Sequence, residues 1–114
     1  MDIRLKELPF DFDGRKYLLR CNMNVLADVQ EAFGGNISAA LSAKSPTKGV
    51  LSFLAAMLND YADEHDWPDR YTSRQVGRKL PASCLNSVCK DVMALVAASL
   101  HGDDEPETEG EAKN

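Results

Sequence analysis

The sequence is poor in the residues that staple, chelate or catalyse. Three cysteines, Cys21, Cys84 and Cys89, cannot all pair within one chain, and two histidines, His65 and His101, stand far apart. Free thiols and a reducing compartment are the simplest account of such cysteine usage. Cys84 and Cys89 are five positions apart, which is not the Cys-x-x-Cys spacing of a tetrahedral zinc site, and no histidine pair completes one. There is no glycine-rich phosphate loop, no Gly-x-Ser-x-Gly and no dinucleotide fingerprint. There is no apolar run near 18 residues, and no charged-then-apolar secretory leader, so neither a membrane span nor export is expected. Positive charge is not in excess either. The net charge is −5, and six of the acids lie in residues 103–114, leaving twelve acids and twelve bases in the rest of the chain. A neutral body with an acidic tail argues against bulk electrostatic binding to DNA or to anionic lipid.

What remains is an ordinary globular composition, 44% hydrophobic and 27% charged, over 114 residues. That suits one modest core. Leu8 to Cys21 reads as a hairpin, within about residues 3–21. Asp13-Gly14 is the favoured type I′ loop, since both positions need φ > 0. Pairing outward from it sets Phe12 opposite Arg15, Asp11 opposite Lys16, Phe10 opposite Tyr17 and Leu8 opposite Leu19. One face then carries Leu8, Phe10, Phe12, Tyr17 and Leu19. Pro9 marks an edge strand, and a lone hairpin needs helices to pack on.

Asn22 or Asn24 can cap the next helix, whose face is Val25, Leu26, Val29 and Phe33, and Gly34-Gly35 stops it. Asn36 can cap a short turn through Ile37–Ala43. Ser45-Pro46 starts the longest helix, to about Glu64, with Val50, Leu51, Leu54, Met57, Leu58 and Tyr61 on one stripe, and Ser52, Asn59 and Asp63 facing away. Trp67-Pro68 ends that segment. Thr72 and Gln75 have capping-box spacing and open a helix to about Lys79. A last helix runs from about Ala82 to Leu100, with Leu85, Val88, Cys89, Val92, Met93, Val96 and Leu100 on its apolar side. The predicted architecture is therefore mainly α. It is one domain over residues 1–101, four to five helices with an N-terminal hairpin, followed by an acidic disordered tail over 102–114.

Three constellations invite a functional reading. Asp63-Glu-His-Asp66 mixes carboxylates with imidazole, but successive helical residues diverge by about 100° and four in a row cannot converge on one ion. A solvated helix end is the simpler account, with a hydrolase or metal enzyme a distant third choice. Arg70, Arg74 and Arg78, beside Lys79, recur at helical spacing, so a helix at Thr72–Leu80 resembles a recognition helix of a small DNA-binding regulator. The simpler account is again a solvated face. Finally, the long apolar stripes are either core or a groove for a partner helix.

The strand-to-helix stretch from Tyr17 to Gly34 carries a family resemblance. Tyr17, Leu19 and Arg20, then Asn24, Leu26, Ala27, Val29, Glu31, Ala32, Phe33 and Gly34, resemble the N-terminal pattern of phage tail assembly chaperones and of their relatives in gene transfer agents. The layout of later helices fits through about Leu100. The resemblance implies a non-enzymatic helper in the cytoplasm of a bacterial host. Such a protein would hold the helical tape measure protein soluble while the tail tube polymerises around it. It would use no cofactor and no metal. The tail tube protein and further copies of the chain are the other partners it implies, with no membrane and no nucleic acid. The residues assigned to partner binding on this reading are Leu54, Met57, Leu58, Tyr61, Val92 and Val96.

Overall fold

The structure, a computed structural model, describes residues 6–41 and 46–101. Two strands, β1 (Leu8–Phe12) and β2 (Arg15–Leu19), precede α1 (Met23–Ala32), α2 (Ile37–Ala40), α3 (Pro46–Glu64), α4 (Ser73–Lys79) and α5 (Leu85–His101). The domain is thus mainly helical, with an N-terminal hairpin. The predicted tail, the first residues of the predicted hairpin segment, Ser45 as a cap and the end of the turn after Leu41 lie outside the described residues.

The hairpin pairs in the predicted register, Leu8 with Leu19 through Phe12 with Arg15. Asp13 and Gly14 take φ of 52° and 80°, the left-handed pair that a type I′ turn requires. Phe12, Tyr17 and Leu19 are buried by that register, and Leu8 and Phe10 pack against them.

Of the two candidate caps for α1, Asn22 does the work. Its side-chain oxygen accepts from the Val25 N–H at 3.0 Å. Its amide nitrogen donates to Asp60 on α3 at 2.8 Å, so one residue starts a helix and fastens it to the next. The far end of α1 is a Schellman motif, with Gly35 N–H on the Gln30 carbonyl and Gly34 N–H on that of Glu31. α3 ends in the same way. Trp67 N–H bonds the Ala62 carbonyl and Asp66 N–H bonds that of Asp63. Asp66 occupies the left-handed position with φ 58°, where short polar side chains are tolerated.

α3 is the axis of the fold, flanked by β2, α1, α2, α4 and α5. A helix covered on every side buries more than one stripe, and here Phe53 through Leu58 are all buried. Phe53, fully buried, lies off the predicted stripe. Ala55 and Ala56 serve where α1 and α4 share the same side of α3. At Gly49 an added Cβ would lie 2.0 Å from the Ala40 carbonyl oxygen, so the glycine lets α2 close on α3.

α5 starts later than predicted. Ala82–Cys84 form a 3-10 turn after Pro81, and the α-helix begins at Leu85. Val92, Leu95 and Val96 are buried, whereas Leu85 and Leu100 are 46% and 47% exposed. The predicted stripe missed Leu95, and its two ends are open to solvent. The helical stretch Ala82–His101 contains an 18-residue window of mean hydropathy 1.3, long and apolar enough by length and composition to cross a membrane. Lys90 and Asp91 break the run, which is why a search for an uninterrupted stretch passes over it.

Candidate functional site

The residues assigned to partner binding are mostly interior. Leu54, Met57, Leu58, Val92 and Val96 are buried in this fold, none more than 1% exposed. The reason is the central place of α3. That helix is flanked by α5 and β2 as well as by α1, α2 and α4. Tyr61 is half-buried in an aromatic cluster. Its ring lies 5.5 Å from Tyr17 and 5.5 Å from Trp67, and Tyr17 and Trp67 meet edge-on at 5.3 Å. Arg15 lies over the Trp67 ring, 4.5 Å from its centroid, and pairs with Asp69 at 3.3 Å.

That cluster closes the C-terminal end of α3. Asn59, expected to face solvent, holds the segment that follows. Its amide donates to the Tyr71 carbonyl and its oxygen accepts from the Tyr71 N–H, both at 2.8 Å. The Tyr71 hydroxyl donates to Asp13 in the hairpin turn at 2.8 Å, and Lys79 pairs with the same carboxylate at 3.3 Å. The hydrogen bonds from Tyr71 and then Lys79 hold the Asp13 pKa below its ordinary 3.8. Burial, then the bond to Asp13, pushes the Tyr71 pKa above the ordinary tyrosine range. Tyr17 Oη is buried, and desolvation raises its pKa too.

The sequence Asp63-Glu-His-Asp66 is pulled apart by its partners. Asp63 pairs with Arg70, and Glu64 with Arg20. His65 stacks on Tyr61 and bonds the Tyr61 carbonyl through Nδ1. Asp66 is spent on the helix end. Among the described residues no three His, Cys, Asp or Glu side chains converge on a metal position. The arginine strip is similarly divided. Arg70 donates to Asp63 and to the Trp67 and Asp69 carbonyls, and Lys79 is held by Asp13. Only Arg74 and Arg78 of the four stay exposed and unpaired among the described residues.

The N-terminal end of α3 is different. Between its first turns, the C-terminal end of α4 and the start of α5 lies an apolar cleft of about 310 Å³. It is lined by Val50 and Leu51 of α3, Gly77 of α4, Leu80, Pro81 and Ala82 of the link, and Leu85, Val88 and Cys89 of α5. Gly77 matters here, because a Cβ would come 3.2 Å from the Leu51 side chain at the cleft wall. The cleft contains no catalytic constellation. It offers a depression of aliphatic carbon, suited to side chains of another molecule. Sequence reasoning placed Leu85 and Val88 on an apolar stripe but not in a cleft. The available signal was Pro81, which separates α4 from α5 and leaves Leu80 between them.

Comparison of the chain with models of protein families, with curated proteins and with solved structures finds no match.

Proposed function

We propose that the protein is a phage or prophage tail assembly chaperone that binds the tape measure protein and keeps it soluble during tail tube assembly. The resemblance over Tyr17–Gly34 supports this reading. The observation that carries it is the apolar cleft between α3, α4 and α5, open among the described residues and lined by aliphatic side chains of the kind that receive a partner helix. With the earlier stripe residues committed to the core, this cleft is the surface assigned to the partner. The reading places the protein in the cytoplasm of the bacterial host as a non-enzymatic interaction protein without cofactors. Copies of itself and the tail tube protein are further partners.

Co-expression with a neighbouring tape measure gene tests it. A co-purifying complex and a gain of tape measure protein in the soluble fraction are expected, and neither appearing would end the proposal. A second reading, a small DNA-binding regulator, draws on Arg74 and Arg78, exposed one turn apart on α4 and unpaired among the described residues. It calls for affinity to duplex DNA that falls steeply with salt, whereas the chaperone reading calls for none.

A further inference from the structure

Charge is segregated around the cleft. The two stretches that line it, residues 47–51 and 77–89, hold Lys48, Arg78 and Lys79 and no aspartate or glutamate, although acids outnumber bases 18 to 13 in the chain. Lys48 follows the lining residue Thr47 and Arg78 follows the lining residue Gly77 in the chain, and both cations are exposed. Neither has an ion pair or side-chain hydrogen bond among the described residues, and the same holds for Arg74. The nearest acid along α5 is Asp91, one turn past Val88. Other depressions of the surface, between α1 and α3, carry Asp28, Glu31, Asp60 and Asp63. An apolar lining with adjacent cations that have no acidic partner among the described residues selects for an occupant that is apolar on one face and anionic on its flanks.

The geometry points to an acidic amphipathic helix of another protein as the ligand of the cleft. Its apolar side chains, at i, i+3 or i+4, and i+7, would enter between Leu51, Leu80, Leu85 and Val88, and its carboxylates would meet Lys48 and Arg78. Two occupants from within the chain fit less well. Residues 103–114 have six acids but no large apolar side chain to fill the depression. In a second copy, α1 has Asp28 and Glu31, but Val25 and Val29 are buried in its own core. The inference deepens the chaperone reading by naming the chemistry of the helix to be held, and rests on it only for that helix's owner.

Two synthetic amphipathic peptides test it, sharing one leucine stripe and differing only in flanking glutamates or lysines. Each is titrated into the full chain at low and high salt, with NMR shifts followed at Leu51, Leu80 and Val88. The glutamate peptide should bind at least about tenfold more tightly, with an advantage that shrinks as salt rises. Leu85→Glu, at an exposed site, should abolish binding without changing the thermal midpoint. The pair Lys48→Glu with Arg78→Glu should reverse the preference. Equal affinity for both peptides, shifts outside the cleft or indifference to Leu85→Glu would overturn the inference. So would cleft-dependent binding of anionic vesicles without peptide binding, or a dimer that Leu85→Glu dissolves and the peptide cannot displace. A tape measure complex that survives Leu85→Glu would overturn the cleft assignment and leave the chaperone reading standing. Glutamate-peptide binding without any tape measure complex would do the reverse.

Discussion

The two ends of α3 are finished by opposite means. At the C-terminal end, Tyr17, Tyr61 and Trp67 interlock, Arg15 covers the indole, and the Asn59 amide fixes the passing backbone at Tyr71. At the N-terminal end, Val50 and Leu51 face a cleft whose far wall begins with a half-exposed leucine. The same helix therefore has one end where every side chain has a neighbour and one where neighbours are missing. In a domain this small, stability is concentrated at the first end, and the second is free to take a ligand.

The largest expected effect tests the closed end. Tyr17→Ala removes a buried aromatic from the cluster and should cost about 3–5 kcal/mol in denaturant unfolding. If it cost no more than a surface change, the closed end would not be the anchor of the fold. Next comes Gly49→Ala, which sets a Cβ against the Ala40 carbonyl. A loss of about 1–3 kcal/mol by thermal unfolding is expected, confining the openness of that end to the cleft side. Leu85→Ser, at the cleft itself, should lie within about 1 kcal/mol of the parent protein, because the side chain is already half exposed. A loss as large as that of Tyr17→Ala would mean that the cleft is filled.

The smallest effect is one of pH. Asp13 has its pKa lowered in the folded state, so its contribution is complete above the ordinary value of 3.8 and disappears as pH falls through the lowered value. Asp13→Asn retains a residue that tolerates the left-handed turn. It should be less stable than the parent at pH 7, and the two should converge below about pH 4. Unfolding curves at the two pH values that stayed equally far apart would exclude the carboxylate as the clasp.

Much of this architecture was written locally. Asp13-Gly14 dictates the hairpin register because few other dipeptides accept two positive φ values. Thr72 and Gln75 complete their capping box, the N–H of each bonded by the side chain of the other. The face of α3 was not legible in the same way. Its periodicity shows a stripe, but a stripe reads alike whether it meets a core or a partner. The burial of Phe53, Ala55 and Ala56 depends on α1 and α4 arriving from elsewhere in the chain. Asn59 looked like a solvent-facing polar residue because its partner, the Tyr71 backbone, is twelve positions away and has no side-chain signal. The cleft was illegible for a related reason. A depression is a place where three elements fail to meet, and no single segment encodes it.

The clasp at Asp13 has a consequence in time. The hairpin turn can form from neighbours in sequence, but its bonds to Tyr71 and Lys79 span 58 and 66 residues. Closing so long a loop has a high entropic cost and little reward until the helices between have docked. The clasp therefore closes after the folding barrier. Releasing it with Tyr71→Phe should leave the refolding rate unchanged and speed unfolding. The turn that starts the hairpin thus also serves as a latch on the finished molecule, setting how long the fold lasts and not how fast it is reached.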